Sequence, residues 1–582
     1  MGKKSVVIIF ALISIFLFVN GVVNFGQISD SGFVYMGALL LGFLLVALIS
    51  WKVIKYLGEE KVFVVLYCVK KKMMIAEIMA GGLLLLAGIV GRVLVAMQVN
   101  NISVDEKFEH LSVLFPAEKL YDNVVMLLKP MATSSITEYE LLNIITASLS
   151  MVLIYFIGRE MYGISGAVVA ILLTAFWPSQ IYGVVYNSKK CLCTMLFLAV
   201  IYFFIMMRKS KKSIVFSIFA GVFLGILAYL QTSMYILLAI FIVSPVVRGD
   251  EGRERTIIEN LIKRIPAAVL SIGITFLVIN GLNSVMAKDL GMPVAKVTGL
   301  DGYAMMSGFN QEYDGTENGA DYEFLIKNYE ETKNPKDAQH VCLGNGLARF
   351  DENVVEAINL LLKKAQYIFG CGYDFAVRVD LEESSFAYIE DAYYLLILFG
   401  TGIFAVELLQ RNHRGYINFV LVMGILTVLS GAMFMVEGTV QMQFGCIMVI
   451  CSSALVSVLY RRCLGDETIR TIEEIVRLQE EAERKKEAWT SKLKSKMKMD
   501  EEGETQVQES QDNEEGDYYF DEEELDEMED NSQIEDDIQK LLAKLSLDIH
   551  QLDNESVKEK RRKKIQEAKE KQKNKTNGDF DV

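Results

Sequence analysis

The chain of 582 residues is 52% hydrophobic with a mean hydropathy of +0.30, more apolar than a soluble core requires. Its formal net charge of −15 arises locally, because residues 501–537 hold 19 Asp and Glu residues and no Lys or Arg. The eight cysteines form no CxxC pair and no His spacing typical of a metal site. These features exclude a soluble enzyme and indicate a polytopic membrane protein without a disulfide framework or a metal centre.

Apolar runs close to the roughly 20 residues that cross a bilayer recur along the chain. The first run, about 5–25, lacks a convincing cleavage site, so we expect a retained span rather than a signal peptide. Further spans are expected at about 32–54, 74–97, 141–157, 164–182, 191–207, 213–230, 233–247, 265–285, 392–409, 416–436 and 439–460. The sequence therefore predicts an all-α fold with about 12 transmembrane helices.

Clusters of Lys and Arg predict the orientation of these spans, because short cytoplasmic loops are enriched in positive residues. The clusters at 208–212, 248–264, 411–414 and 461–462 all fall on the side of the N-terminus. We therefore expect a multi-pass protein of the cell membrane with both termini in the cytoplasm. Lys189 and Lys190 are the exception, since this cation pair falls on the outer side.

Five regions follow from this arrangement. They are two N-terminal helices with a cytoplasmic linker (1–73), a transmembrane core containing the first outer loop 98–138 (74–285), a mixed extracytoplasmic loop subdomain (286–390), C-terminal transmembrane helices (391–462) and a charged cytoplasmic tail (463–582).

The tail combines a partly disordered acidic segment with short helical stretches. Ile534, Ile538, Leu541, Leu545 and Leu552 alternate at steps of about four and three, as in a coiled-coil seam. Self-association or a protein partner is one interpretation, and a solvated tail with a transient helix is the other. Nucleic-acid binding is not indicated, because the basic end is short and lacks interleaved aromatic residues.

The first outer loop carries an acidic pair, Asp105 and Glu106, between two apolar runs. If those runs are spans, the pair lies at the outer face of a bilayer, where a base acting on a lipid-linked substrate is needed. The alternative is that both are solvated loop carboxylates.

Residues 145–205 add a second pattern to this loop. It comprises Gly158-Arg159 with Tyr162-Gly163, and Pro178 at the outer end of the next span. The outward Gly308-Phe309-Asn310, followed by Gly315, comes later in the chain. From about residue 74 to 460, the chain resembles the polytopic membrane glycosyltransferases of the GT-C fold, in particular the bacterial relatives of protein O-mannosyltransferases (glycosyltransferase family 39).

The resemblance implies an enzyme that moves a sugar from a polyprenyl-phosphate donor to a protein, lipid or cell-surface polymer acceptor on the extracytoplasmic face. Asp105 matches the acid of the family's first loop and takes the role of catalytic base, with Glu106 as its neighbour. Asn310 and Glu437 match outward motif positions and are expected to bind substrate. No cofactor is implied beyond the donor, which with membrane lipids is the expected partner.

Three charged positions of the family pattern are altered. Lys190 stands where relatives often have an acid, Gln231-Thr232 replaces an Arg-Pro, and Glu437 is followed by Gln441-Met442 rather than Arg-Tyr. Either Lys189 and Lys190 supply the cation that holds the donor phosphate, or the chain is a catalytically degenerate GT-C-like scaffold in cell-envelope assembly whose tail binds cytoplasmic partners. A third interpretation makes the lysines interfacial residues that snorkel.

Overall fold

The computed structural model describes residues 3–28, 70–99, 111–210, 212–244, 257–369, 385–410 and 415–464, together with four isolated positions before residue 53. Nearly all of these residues lie in one compact unit of residues 1–46 and 75–458. The predicted second span, apart from these four positions, and nearly all of the predicted tail lie outside the described residues.

The described chain is built from helices. In chain order they are α1 (Lys3–Ile28), α2 (Lys70–Gln98), α3 (Pro116–Met126), α4 (Glu138–Ala175), α5 (Pro178–Tyr182), α6 (Lys190–Lys209), α7 (Ser213–Leu230), α8 (Leu238–Val243), α9 (Ile257–Asp289), α10 (Gly302–Gly308), α11 (Gly319–Thr332), α12 (Pro335–Glu352), α13 (Val354–Phe369), α14 (Ser385–Gln410), α15 (Gly415–Met433) and α16 (Gly438–Leu464). A 3-10 helix, Thr232–Leu237, connects α7 to α8.

Seven helices of the described chain are long and apolar enough to cross a membrane, and a bent pair of shorter helices adds one candidate span. Shorter apolar helices at Thr232–Val243, Ile417–Met433 and Gly438–Ala454 fall where the sequence predicts further spans. The prediction of an all-α polytopic membrane protein is confirmed. The count of twelve spans stays a prediction.

Two breaks shape the chain between residues 138 and 185. Gly163 interrupts α4 with φ of 79°, a left-handed conformation that glycine adopts without steric cost. After Ala175 the chain bends by 62° into α5, which begins at Pro178. Trp177 Nε1 and the backbone N–H of Ser179 donate to Glu390 of α14, at 3.0 and 2.8 Å. This carboxylate holds the bend against α14.

Helices α7 and α9 pack closely through small residues. A β-carbon at Gly221 would lie 2.5 Å from the carbonyl oxygen of Ser271, so glycine is needed for this approach. Ser271 Oγ donates to Ser217 O at 3.0 Å, and Thr275 Oγ1 donates to Gly221 O at 3.2 Å. Small residues and hydroxyl groups therefore bring this pair of helices into close contact.

The outer subdomain contains α10 to α13, and its described residues form helices and no strand. Its apolar core includes Tyr303, Met306, Leu325 and Cys342, and Leu114 and Phe115 of the first outer loop belong to the same cluster. Gln339 joins the two polypeptide segments, because its Nε2 donates to Leu114 O at 3.0 Å while its Oε1 accepts from Gly302 N at 2.8 Å. The two predicted outer segments thus form one packed layer.

Candidate functional site

A cavity lies where the two outer segments meet the ends of the helix bundle. Its wall is formed by the first outer loop at 114–118, the residue before α6, and the end of α7 with the following 3-10 helix. The segment 298–301 with the start of α10 and residues 430–440 around the α15–α16 connection complete it. All of these ends are outward in the predicted topology. In that predicted topology the cavity would lie at the outer membrane face.

Four charged side chains line this cavity: Lys189, Glu118, Asp301 and Glu437. Burial lowers the pKa of Lys189, but Glu437 and Glu118 raise it more, so the lysine pKa lies above its ordinary value. At neutral pH the cavity holds an ammonium group among carboxylates.

Lys189 lies on a loop that is fixed by hydrogen bonds to its backbone. Asn143 Nδ2 donates to the carbonyl oxygens of Val184 and Tyr186, at 3.2 and 2.7 Å, and Tyr121 Oη donates to Ser188 O at 2.8 Å. These groups hold the residues before α6 from two neighbouring helices, α4 and α3. The lysine backbone is preorganised at the cavity wall.

Asp301 precedes α10 and caps its first turn, because its Oδ1 accepts from Ala304 N at 2.9 Å. Thr232 Oγ1 donates to Gly299 O at 3.2 Å and accepts from Asp301 N at 2.9 Å, which fixes the segment against the 3-10 helix. Burial raises the pKa of Asp301 to about 6, although the Ala304 N–H and Lys189 both lower it. The group is mostly ionised at pH 7 and becomes protonated in mild acid.

Glu437 is the last residue of a short connection, residues 434–437, that is hydrogen-bonded to the outer subdomain. Met435 N donates to Ala304 O at 2.7 Å and Val436 N donates to Gly315 O at 3.1 Å. Lys364 Nζ donates to Gly308 O at 2.8 Å and to Phe434 O at 2.5 Å. The outer subdomain therefore sets the position of the cavity wall that carries Glu437.

Three lining residues carry buried polar atoms with no hydrogen-bond partner among the described residues: Tyr229 Oη, Gln231 Nε2 and Ser233 Oγ. Gln231 Oε1 accepts from Gln443 Nε2 at 2.8 Å, which orients the Gln231 amide. A buried polar atom without a partner is costly. These atoms are suited to hydrogen-bond a polar ligand.

The residues singled out by sequence separate into three groups. Lys189 and Glu437 line the cavity together. Lys190 lies outside its lining, with Nζ 5.3 Å from the centre of the Tyr186 ring, and Asn310 donates to Asp321 at 2.9 Å inside the outer subdomain. Asp105 and Glu106 lie outside the described residues, so their predicted roles stay predictions.

Glu118 and Asp301 were not identified from the sequence. Both occur in polar outer segments that contain other carboxylates. Their position in the chain, Glu118 after Phe115-Pro116 and Asp301 before α10, is all that separates them from those other acidic residues. Within the described ranges, no group of three His, Cys, Asp or Glu side chains is placed to hold a metal ion.

Comparison with known proteins gives a family for the central spans. Residues 126–279 match the family model of dolichyl-phosphate-mannose-protein mannosyltransferase. This stretch is similar to a family of mannosyltransferases. It confirms the predicted resemblance to membrane glycosyltransferases of the GT-C fold, and it includes Lys189 and the Gln231 region of the cavity. No curated protein matches the chain.

Solved structures similar to the chain include three of the Archaeoglobus fulgidus oligosaccharyltransferase. The form with zinc and sulfate is 13% identical (66% of this chain, 49% of that chain, TM-score 0.36), and the form tethered to an acceptor peptide is 12% identical (66%, 50%, 0.35). The form with an inhibitory peptide and a dolichol-phosphate is 12% identical (67%, 51%, 0.33). The chain spans about half the length of these proteins.

Proposed function

We propose that the protein is a membrane glycosyltransferase that moves a sugar from a polyprenyl-phosphate donor to an acceptor hydroxyl on the extracytoplasmic face. The observation that carries this proposal is Lys189, a cation held among carboxylates in a cavity at the outward ends of the spans. The family match across residues 126–279 supports the reaction class.

The reaction needs two protein groups at this cavity, a cation and a base. The acceptor oxygen attacks the anomeric carbon, the bond from that carbon to the phosphate oxygen breaks, and the polyprenyl phosphate leaves with the bonding electron pair. Lys189 stabilises the negative charge that develops on the leaving phosphate. A carboxylate accepts the acceptor's proton, and the candidates are Asp105, by resemblance, and the cavity carboxylates Glu437, Asp301 and Glu118.

The cavity also offers an apolar surface next to the charged groups. Leu114, Phe115, Leu230, Phe434 and Val440 contribute to its lining. An isoprenoid chain can pack on such side chains while its phosphate lies at Lys189. The apolar wall suits a lipid-linked donor better than a free nucleotide sugar, which would leave that wall without a partner.

The experiment is a transfer assay with the purified full chain in lipid nanodiscs. Polyprenyl-phosphate donors carrying different radiolabelled sugars are offered with extracted proteins, lipids and cell-surface polymers as acceptors. We expect label to move from one donor to one acceptor class. If the protein neither binds nor consumes any donor in the panel, the glycosyltransferase proposal fails and the scaffold interpretation replaces it.

A further inference from the structure

Helix α13 of the outer subdomain leaves several large apolar side chains exposed. Val354, Val355, Ile358 and Leu362 are 44%, 70%, 46% and 50% exposed. At 100° per residue these four lie on one contiguous arc of the helix, beside the arc that Ala357 and Leu360 bury. The uncovered arc is an extended apolar face rather than scattered single residues.

A separate polar stripe lies along the other edge of the apolar arc of α13. Glu356, Asn359 and Lys363 are exposed there, and Lys363 Nζ pairs with Asp314 at 2.7 Å. The helix therefore has three stripes: one buried against protein, one exposed and apolar, and one exposed and polar. This pattern is typical of a helix that lies in the plane of a membrane interface.

The end of α13 enters the membrane bundle, which determines what the apolar arc faces. Phe369 is fully buried, with its ring centre 5.2 Å from that of Phe444, and its carbonyl accepts from Tyr394 Oη at 2.8 Å. Ala365 and Phe369 fall within the same angular arc as Ile358 and Leu362. Along the helix, the exposed apolar face is therefore continuous with contacts to the transmembrane helices.

The neighbouring spans extend this surface. Helix α13 contacts α1 and α15. Val19 and Val23, towards the outward end of α1, are 54% and 51% exposed, as expected for side chains that face lipid. Helix α13 thus adjoins a span whose surface has the exposure expected of lipid contact.

We propose that α13 is an interfacial helix whose arc of Val354, Val355, Ile358 and Leu362 inserts into the outer leaflet at the boundary between head groups and acyl chains. The same helix carries Lys364, whose Nζ holds Gly308 and Phe434. Lipid contact therefore helps to fix the cavity wall that carries Glu437. This inference concerns a binding surface and does not depend on which reaction the cavity performs.

The test places an environment-sensitive fluorophore on single introduced cysteines in the full chain, reconstituted in nanodiscs of phosphatidylcholine with or without bromine on the acyl chains. The labelled positions are Val355→Cys and Leu362→Cys, with Glu356→Cys and Asn359→Cys as matched controls on the polar stripe. Wild-type protein treated in the same way gives the background from native cysteines.

We expect blue-shifted emission at 355 and 362 that brominated lipid quenches at least twofold, and solvent-like emission at 356 and 359 that it does not quench. Two results would overturn the proposal. Blue-shifted emission at 355 and 362 without quenching would mean that another protein segment covers the arc. Equal behaviour at all four positions would mean that the helix does not lie in the interface.

Discussion

Lys364 is a lysine whose side chain is almost wholly buried, and its Nζ donates to two backbone carbonyls rather than to a carboxylate. Burial lowers the pKa of Lys364 to about 7. Gly315, with φ of 73°, makes room for the lysine stem, since a β-carbon there would lie 2.6 Å from Lys364 Cδ. The residue links α13 to the connection that precedes Glu437, at the cost of a buried amine.

This burial predicts a pH dependence of stability. An unfolded lysine has a pKa of about 10.4, so between pH 7 and about 10 the unfolded chain binds more protons at this position than the folded chain. The lysine's contribution to the free energy of unfolding therefore increases as pH rises through this window, by at most about 1.4 kcal/mol per pH unit. Below pH 7 both states are protonated and this gain is absent.

The check is the thermal unfolding midpoint of wild type and Lys364→Met, measured between pH 6 and 9 in the same detergent. The difference between the two proteins should shift in favour of wild type above pH 7. A constant difference across this range would show that Lys364 titrates as an exposed lysine does.

Two of the cavity residues were predicted from the sequence, one because it departs from the positive-inside rule and one because it matches a motif. Lys189 was recognised because a cation pair on the outer side departs from the positive-inside pattern. Glu437 was recognised by its place after a late span. Asp301 and Glu118 carry no such signal, because their proximity to Lys189 depends on how two distant loops pack.

At the scale of the element, α11 and α12 are held together by a buried ion pair. Arg349 Nη2 and Nη1 donate to the two carboxylate oxygens of Asp321, at 2.7 and 3.1 Å, and Asn310 donates to the same carboxylate. Burial raises the pKa of Asp321, but the hydrogen bonds from Arg349, Asn310 and Asn318 outweigh it, so the pKa lies below its ordinary value. The network explains why Asn310 is placed inside the subdomain.

Arg349→Met should therefore destabilise the outer subdomain by about 3 kcal/mol, because it leaves the Asp321 carboxylate, only 3% exposed, without its cation. The control is Lys363→Met, which removes a pair whose side chains are 63% and 58% exposed and should cost about 0.5 kcal/mol or less. Denaturant unfolding of both variants gives the comparison. Equal effects would show that the buried network is not what holds α11 to α12.

Sequence patterns were most informative where a single residue type, glycine or proline, sets a helix boundary. Gly163 lies between two predicted spans and interrupts α4 there. Pro178, expected at the outer end of the span 164–182, instead begins a separate helix after a bend. The helices of the outer subdomain were less predictable. Their apolar residues pack against the first outer loop and the α15–α16 connection, and such contacts between distant segments leave no periodic signal.

At the scale of the whole molecule, the segments that line the cavity all lie on one membrane face in the predicted topology. The orientation of the spans decides whether that face is the outer one. With a membrane-impermeant thiol reagent on intact cells, Glu312→Cys in the outer subdomain should be labelled. Lys212→Cys, between α6 and α7, should be labelled only after the membrane is permeabilised. Labelling of residue 212 in intact cells would reverse the orientation.

The proposal that this cavity transfers a sugar is tested most directly by comparing wild type with Lys189→Met in the nanodisc transfer assay, using the donor that wild type consumes. Lys129→Met, an exposed lysine of the same outer layer, is the matched control for loss of a positive charge. We expect Lys189→Met to weaken donor binding and lower the transfer rate by about tenfold or more, equivalent to about 1.4 kcal/mol or more, while Lys129→Met leaves both unchanged. Transfer by Lys189→Met at the wild-type rate would contradict the assignment of this cavity as the site of reaction.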